Sequence, residues 1–421
     1  MILIKGGNVY GIVEETADVL IKDDRIVQIS ESIPETDEMT VIDACGLVVA
    51  PGFVDLHVHF REPGFIYKED IMTGAMAAAA GGVTTCLCMP NTSPVVDDAK
   101  TLRYIADRTI DASIRVLPVA AVTLSQKGKE LTDFEMLKNC GAAALSDDGN
   151  PISSAAIMRE ALIKAKKTGL TIISHCEDEE MVKNYAVNEG EVSKKLNLPG
   201  RPAIAEEIMV ARDVMLSAET GAHVHIAHIS TAASVEIVRR AKLEGINVTA
   251  ETCPQYFSLT QDEVLRQGAL ARVNPPLRTA LDVAGIIEGL VDGTIDCIAT
   301  DHAPHSVEEK SESLANAPSG MIGLETSLAL ALTYLYHTGK LGIDDIIKLM
   351  ATNPAGVLGL DFGTLLQNAC ADVVIFDPNE DWIVRPEKFH SKARNTAFAQ
   401  MKLKGRVKHT ISRGKLVYSD N

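Results

Sequence analysis

The sequence predicts an α/β protein: a (β/α)8 barrel joined to a small β-sandwich module that is formed by the N- and C-terminal segments. From residue 52 onward, eight short apolar runs alternate with helical stretches rich in Ala and Leu. Strands that alternate with helices form parallel sheets, and eight such units fit a closed barrel. Both ends of the chain instead carry short alternating runs without a helical period. An open doubly wound sheet is the second choice, because no glycine-rich dinucleotide turn follows the first run.

The eight apolar runs place the strands of the predicted barrel. They cover residues 53–60, 83–90, 114–122, 141–149, 170–178, 223–230, 246–254 and 296–304. Helical segments such as SAAIMREALIKAKKTG and TAASVEIVRRAKLEG lie between them. We therefore predict three segments: residues 1–51 as the N-terminal part of the β-module, 52–358 as the barrel, and 359–421 as the C-terminal part of the module.

Composition and charge exclude several classes of protein. Of the 421 residues, 46 % are hydrophobic, which is enough for a large core. The 40 basic and 57 acidic residues give a net charge of −17, which argues against nucleic acid and anionic membranes as partners. No apolar run reaches the ~20 residues that span a bilayer. MILIKGGNVYG lacks the features of a secretory signal, and the eight cysteines have no framework spacing, so we expect a cytoplasmic protein with free thiols.

The first run, FVDLHVHF, carries the strongest chemical signal. Side chains alternate along a strand, so Phe53, Asp55, His57 and His59 share one face, and the other face is wholly apolar. Barrels of this kind hold their chemistry at the carboxyl ends of the strands. The spacing therefore places two imidazoles where they can bind one metal ion, although a pair of structural histidines is the alternative.

Other predicted strands end in the same residue types. They end at His175, at His228, at Asp301 and at the pair Asp147 and Asp148. Imidazole and carboxylate together are the ligands of zinc, manganese, iron or cobalt, so the pattern predicts a metal site at the barrel mouth. Adjacent strand residues face opposite sides, and the sequence alone leaves open which of the two aspartates points inward.

Two further histidines do not follow this pattern. His223 and His225 lie near the start of their run, on the opposite face from His228. Their position favours a structural or surface role.

Polar residues just beyond the strand ends could hold an anion at the same mouth. They are Arg61, Asn91, Asn274 and His305. An arginine fork with amide donors suits a carboxylate, so a protein of net charge −17 can still bind a carboxylated small molecule. Loop hydrogen bonds are the alternative for each residue. The polar segment 306–320 is predicted to be either a lid or an ordinary solvated loop.

These motifs resemble the amidohydrolase superfamily and, within it, the long-form bacterial dihydroorotases. The motifs are DLHVHFREPG, MPNTSP, SHCED, HIAHIS, NPPLR and IATDHAPH, and ADVVIFDP extends the resemblance to nearly the whole chain. The resemblance implies reversible conversion of N-carbamoyl-L-aspartate to (S)-dihydroorotate in de novo pyrimidine biosynthesis. Many members of the superfamily bridge two metals with a carboxylated lysine on strand four. GAAALSDDG contains no lysine, and an aspartate in this place resembles the long-form branch.

The resemblance also implies residue roles and partners. His57, His59 and Asp301 would hold one Zn²⁺ ion, His175 and His228 a second, and Asp148 would bridge them. The implied substrate contacts are Arg61, Asn91, Asn274, His305 and the backbone of Ser319 and Gly320. Asp301 is the implied proton shuttle. A homodimer and an association with aspartate transcarbamoylase are further implications.

Two alternatives remain at the level of the sequence. One is another cyclic amidase, acting on allantoin, dihydropyrimidine or hydantoin, and Arg61 and Asn91 distinguish it because those substrates lack the carboxylate. The other is a non-catalytic scaffold for aspartate transcarbamoylase. Such a scaffold is expected to have lost metal ligands, whereas all six ligand positions are present here.

Overall fold

The structure is a computed structural model that describes residues 1–11 and 16–420. The strands are β1 (Ile2–Val9), β2 (Ala17–Lys22), β3 (Arg25–Ser30), β4 (Thr40–Asp43), β5 (Val48–Pro51), β6 (Phe53–Val58), β7 (Val83–Cys88), β8 (Arg115–Ala120), β9 (Ala144–Leu145), β10 (Ile172–Ser174), β11 (Val187–Asn188), β12 (Gly200–Arg201), β13 (Val224–Ile226), β14 (Val248–Thr252), β15 (Cys297–Ile298), β16 (Val373–Ile383), β17 (Lys402–Ser412) and β18 (Lys415–Ser419). The α-helices are α1 (Ile71–Ala80), α2 (Ala99–Thr109), α3 (Phe134–Asn139), α4 (Ala155–Thr168), α5 (Glu179–Val182), α6 (Glu191–Leu196), α7 (Ile204–Thr220), α8 (Ala232–Leu243), α9 (Pro254–Ser258), α10 (Glu263–Gln267), α11 (Ala280–Val291), α12 (Val307–Lys310), α13 (Ser327–Ala331), α14 (Ile343–Ile347) and α15 (Asn353–Val357). Within these residues, no helix combines the length and the hydropathy of a membrane span.

Eight parallel strands form the barrel, in the order β6, β7, β8, β9, β10, β13, β14, β15. Each strand lies inside one of the eight predicted runs, so the barrel prediction is confirmed. The sheet nearly closes on itself. His59 N donates to His302 O at 2.9 Å, and Val58 forms a parallel bridge with His302, which brings the end of β6 to the segment after β15.

Local sequence signals explain the outer helices. In α4, Ser154 caps the N-terminus by accepting from Ile157 N, and Gly169 ends the helix with a φ of 68° in the left-handed region. Its apolar stripe, which includes Ala161 and Leu162, is buried against the core. The carboxyl ends of the strands therefore face one mouth, with the helices outside.

Both ends of the chain join in a second sheet. Its order is β18, β17, β16, β5, β1, β2, β3, and β4 pairs with β1. The antiparallel pair of β5 and β16, in register at Pro51 and Val373, connects the N-terminal strands to the C-terminal ones. A separate apolar cluster that includes Ile4, Val49 and Ile411 forms the core of this module. The module built from both termini is thus confirmed, while its division from the barrel at residues 51 and 358 stays a prediction.

A buried aspartate ties the first barrel strand to the last. Asp55 accepts hydrogen bonds from Thr300 N at 3.1 Å and from Thr300 Oγ1 at 2.6 Å. Burial raises the pKa of Asp55 to about 7 against the opposing effect of these bonds. The contact fixes His57 and Asp301, one on each side of the seam, in the same region of the mouth.

Candidate active site

One cavity of about 340 Å³ lies at the carboxyl ends of the barrel strands. Every residue predicted to contact substrate lines it, and so do five of the six predicted metal ligands. These lining residues are His59, Arg61, Asn91, Asp148, His175, His228, Asn274, Asp301, His305, Ser319 and Gly320. The sixth ligand, His57, is fully buried and is not among the residues that line the cavity. The structure therefore brings all the predicted site residues together.

His57, His59 and Asp301 form the first compact group. Nε2 of His59 lies 3.0 Å from Asp301 Oδ1, and Nε2 of His57 lies 3.8 Å from the same oxygen. One ligand atom from each residue lies within 4.8 Å of the others. All three residues are buried, as a metal site of this kind requires.

Asp148 lies at the centre of the four imidazoles. Its Oδ1 lies 3.3 Å from His57 Nε2, 3.2 Å from His175 Nδ1 and 3.5 Å from His228 Nε2. Its Oδ2 lies 3.5 Å from His59 Nε2. One carboxylate therefore contacts both halves of the predicted ligand set.

Asp147 points away from the imidazoles. Its Oδ1 accepts from Val122 N at 2.8 Å and from Thr123 N at 3.1 Å, and Thr123 Oγ1 donates to its other oxygen. Burial raises its pKa to about 6, although these hydrogen bonds oppose the shift. Of the two aspartates that the sequence left open, Asp148 is thus the one that faces the histidines.

The charges of the cluster are strongly linked. Burial raises the pKa of Asp148, but His57, His175 and His228 outweigh it and bring that pKa well below its ordinary value. Burial likewise opposes the charged imidazolium of His175, yet Asp148 and Glu177 raise its pKa to about 9. A metal cation would compete with protons for these nitrogen atoms.

Glu251 on β14 is a contact that the sequence reasoning missed. Its Oε1 lies 2.9 Å from His57 Nδ1, and its Oε2 lies 3.2 Å from His225 Nε2. Glu251 is fully buried, which by itself would raise its pKa, but His225 and His57 bring that pKa below the ordinary value. The sequence feature that could have predicted this contact is the single acidic residue in the predicted strand INVTAETCP, since an acidic side chain in a buried strand needs a partner. His225 belongs to the barrel interior, in keeping with its predicted structural role.

Two other polar residues hold the remaining nitrogen atoms of site histidines. Glu177 Oε2 lies 3.3 Å from His175 Nε2 and accepts from Arg201 Nη1 at 2.6 Å. Despite burial, Arg201 and His175 lower the pKa of Glu177 to about 2. Asn91 Oδ1 lies 2.9 Å from His59 Nδ1, so its amide NH₂ group is what remains for a ligand. Glu177 and Arg201 were not foreseen from the sequence.

Three site residues have backbones in the left-handed region. The φ angles are 60° for Arg61, 32° for His228 and 47° for Asp301. Such conformations cost on the order of 1–3 kcal/mol each for residues other than glycine. The tertiary structure holds them there, and each directs its side chain into the mouth.

Arg61 is a half-buried cation that has no anionic partner among the described residues. Its Nε donates to Pro304 O at 3.2 Å and its Nη2 lies 3.4 Å from His305 Nε2. No carboxylate lies within ion-pair distance of it among the residues that the structure describes. Burial, Arg61 and Lys68 lower the pKa of His305 to about 2, so this ring is neutral. The wall around Arg61 is therefore electropositive.

The segment 306–320 is tethered by buried cations. Arg272 Nη1 donates to Leu314 O at 2.8 Å, and Gly320 N donates to Arg272 O at 2.9 Å. Lys310 Nζ donates to Pro318 O at 2.9 Å. These contacts anchor the segment beside the cavity, with His305 Nε2 at 2.9 Å from Ser319 O. These anchors were not predicted from the sequence, and a lid function stays a prediction.

The residues of the cluster fit a metal ion. His57 Nε2 and His228 Nδ1 are buried and have no hydrogen-bond partner among the described residues. Unsatisfied buried nitrogen atoms are rare because they lose hydration without compensation. Together with the carboxylates of Asp148 and Asp301, they form nitrogen and oxygen donor groups of the kind that bind divalent transition metals.

Solved structures share this fold over nearly the whole chain. The L-hydantoinase (dihydropyrimidinase) from Arthrobacter aurescens has a TM-score of 0.89 at 25 % identity, with 99 % of this chain and 96 % of that chain covered. A D-hydantoinase from Bacillus sp. AR9 has a TM-score of 0.85 at 25 % identity, with coverage of 100 % and 96 %. The barrel and its cluster of imidazoles and carboxylates thus define an amidohydrolase-type enzyme.

Sequence relatives narrow the assignment. Residues 46–234 match the family model described as dihydro-orotase-like. The dihydroorotase of Clostridioides difficile (strain 630) is 49 % identical over 423 residues, which is 100 % of each chain. The dihydroorotase of Clostridium acetobutylicum is 47 % identical, also over 100 % of each chain. The chain belongs to the dihydroorotase family, which confirms the prediction of a cyclic amidohydrolase of pyrimidine biosynthesis.

Proposed function

We propose that this chain converts N-carbamoyl-L-aspartate to (S)-dihydroorotate, and the reverse, in the cavity at the barrel mouth. The observation that supports the choice of substrate is Arg61, which has no anionic partner in the described part of the chain and lines the same cavity as Asp148 and Asp301. Both compounds carry a carboxylate in addition to the groups that form or break the amide bond. Hydantoin and allantoin lack this carboxylate and would leave the half-buried guanidinium without a counter-charge.

The metal ligands in this proposal are those of the two compact groups. His57, His59 and Asp301 would hold one Zn²⁺ ion, His175 and His228 would hold a second, and Asp148 would be available to both. The support is the position of Asp148 within 3.5 Å of a nitrogen atom of each of the four imidazoles. When bound, the metal would polarise the amide carbonyl and make water a stronger nucleophile at neutral pH.

Asp301 transfers the proton in this mechanism. In the hydrolytic direction, water oxygen forms a bond to the ring amide carbon while Asp301 takes up the proton that the water releases. The same carboxyl group then donates the proton to the ring nitrogen as the carbon–nitrogen bond breaks. The products are a ureido group and a carboxylic acid, which releases the second proton of the water to solvent and becomes a carboxylate. Ring closure takes up that proton and follows the same steps in reverse.

Arg61, Asn91 and His305 orient the substrate carboxylate. The Arg61 guanidinium offers a two-pronged set of N–H donors. Asn91 contributes its NH₂ group, since its oxygen already accepts from His59. The neutral His305 donates from Nε2 to Ser319 O, and an incoming carboxylate would compete with that oxygen as the hydrogen-bond acceptor. Such orientation supplies several kcal/mol of a barrier by holding the reacting atoms together.

Asn274 and the backbone around Gly320 face the ring in this arrangement. The Oδ1 atom of Asn274 is buried without a hydrogen-bond partner in the described residues and lines the cavity, so it can accept from a ring N–H. Gly320 has a φ of 135°, and a Cβ atom there would lie 2.7 Å from Ala303 Cβ. Position 320 therefore favours glycine, both because of its φ angle and because a Cβ atom has no room there.

The experiment that tests the proposal is a substrate panel with zinc-loaded protein. We expect turnover of dihydroorotate and carbamoyl-aspartate, with hydantoin and allantoin turned over about 10- to 100-fold less efficiently, as loss of one charged contact predicts. A preference for hydantoin or allantoin would contradict the substrate assignment but would leave the proposed mechanism intact. Absence of any turnover by metal-loaded protein would favour the scaffold alternative.

Cellular context is also part of the proposal. All eight cysteines are free thiols, which supports the cytoplasm as the compartment. A homodimer and an association with aspartate transcarbamoylase rest on family resemblance. Light scattering coupled to size-exclusion chromatography, with and without aspartate transcarbamoylase from the same organism, tests both.

A further inference from the structure

We propose that Glu251 is a positioning residue that fixes His57 as a metal ligand, and that His225 holds Glu251 in place for this task. The inference rests on the metal site of the proposed function. It is carried by geometry: one buried carboxylate group lies between an imidazole of the metal-capable cluster and an imidazole outside it.

The two oxygen atoms of Glu251 have different partners. Oε1 lies 2.9 Å from Nδ1 of His57, and Oε2 lies 3.2 Å from Nε2 of His225. A carboxylate only accepts hydrogen bonds, so both ring nitrogen atoms must be donors. The side chains of all three residues are fully buried, and water cannot replace either contact.

The contact determines which nitrogen of His57 faces the cluster as a lone pair. When Nδ1 carries the hydrogen, a neutral imidazole has its lone pair on Nε2. That Nε2 atom is buried without a hydrogen-bond partner in the described structure and lies 3.3 Å from Asp148 Oδ1. A carboxylate behind a ligating imidazole sets its tautomer and orientation in this way.

His57 is the residue on which both halves of the site depend. It belongs to the group with His59 and Asp301 and also to the group with Asp148 and His228. A single support behind His57 therefore affects both groups. By contrast, Asn91 contacts only His59, and Glu177 contacts only His175 among the cluster imidazoles.

His225 completes the arrangement from the side away from the cavity. Its Nδ1 lies 2.8 Å from Thr249 Oγ1, and its Nε2 donates to Glu251. Both of its ring nitrogen atoms therefore have side-chain hydrogen-bond partners, and His225 belongs to neither metal-capable group. Its role is to keep the Glu251 carboxylate aligned with His57 Nδ1.

The test compares Glu251→Gln and His225→Asn with wild type and with Glu263→Gln, a buried glutamate on α10 that contacts no imidazole. Each protein is stripped of metal and titrated with Zn²⁺ against a chromophoric chelator, and the Co²⁺ form is examined by visible absorption. We expect Glu251→Gln to weaken metal binding about 10- to 100-fold and to change the Co²⁺ spectrum. His225→Asn should show a smaller change of the same kind, and Glu263→Gln none.

Unaltered Zn²⁺ affinity and an unaltered Co²⁺ spectrum in Glu251→Gln would overturn the inference. If Glu251→Gln fails to fold, Glu251→Asp takes its place, with affinity again expected below wild type. Melting curves of the metal-free proteins separate loss of affinity from loss of folding. Failure of the proposed function has a different signature, since wild-type protein would then bind no metal, or bind it without turning over dihydroorotate.

Discussion

Asp301 Oδ1 lies 3.0 Å from Nε2 of His59, although 242 positions separate the two residues in the chain. His59 directly follows the first barrel strand and Asp301 lies just after the last. The near-closure of the barrel therefore brings together the carboxylate that we assign to proton transfer and a histidine that we assign to metal binding. Asp55, bonded to Thr300 beside Asp301, stabilises the same seam.

Asp301→Asn tests the proton-transfer role. We expect kcat to fall by about 10²–10⁴-fold, the usual range for loss of a general acid–base group, because an amide cannot accept the proton of the attacking water. Steady-state kinetics and metal analysis on the same preparation measure the effect. Asp107→Asn, an exposed change on α2, is the control and should match wild type. Wild-type kcat in metal-loaded Asp301→Asn would rule out the shuttle.

Arg61→Met tests the carboxylate contact. We expect the KM for dihydroorotate to rise by about 10- to 100-fold, since a hydrogen bond to a charged group contributes about 1.5–3 kcal/mol. The rate with hydantoin, which has no carboxylate, should change little. Arg103→Met, an exposed residue of α2, serves as the matched control. An unchanged KM for dihydroorotate in Arg61→Met would contradict the assignment.

The neighbouring aspartates 147 and 148 should differ sharply. Asp148→Asn removes the carboxylate between the imidazoles, and we expect metal affinity to fall more than about tenfold. Asp147→Asn should keep the metal but lose about 1–3 kcal/mol of stability, because two backbone N–H groups lose a carboxylate acceptor. Metal titration and thermal unfolding of both variants are the measurements. The reverse pattern would show that the wrong aspartate has been assigned.

The raised pKa of Glu325, at the junction of the barrel and the module, should make the stability of the protein depend on pH. Burial raises its pKa to about 7 from 4.5, although His390 N and Ser391 N donate to it. The folded protein therefore keeps a proton that the unfolded chain releases. Its stabilising contribution is complete below pH 4.5 and is lost as the pH rises to about 7.

Glu325→Gln removes this dependence. We expect its melting temperature relative to wild type to be higher at pH 8 than at pH 5, because the neutral amide avoids the cost of a buried charge. The comparison uses circular dichroism melts at both pH values with the same metal content. A difference in melting temperature that is the same at pH 5 and pH 8 would contradict the raised pKa.

The barrel was predictable because each strand is an apolar run with polar residues at its carboxyl end. All eight runs contain a barrel strand, and all the strand-end histidines and aspartates except His57 and Asp147 line one cavity. The choice between Asp147 and Asp148 required coordinates. The strand before them is short, Ala144–Leu145, so alternation along it does not fix the direction of residues beyond its end.

The supporting residues were not predictable from spacing. Glu251 and Arg272 act through partners that are far away in sequence, such as His57, 194 positions from Glu251. Glu177 lies only two positions from its partner His175, but its burial is not visible from the sequence. Charged side chains are common on protein surfaces, so these residues indicate a supporting role only once they are known to be buried. The roles of the individual site residues accordingly stay predictions until the variants are measured.

Metal dependence is the most direct test of the account. Metal-free protein is titrated with Zn²⁺ while bound metal and hydrolysis of dihydroorotate are measured on the same samples. We expect activity to be absent without metal, to rise with bound Zn²⁺ and to level off at two ions per chain. Full activity in the metal-free protein, or no activity once the two proposed sites are filled, would contradict the central claim.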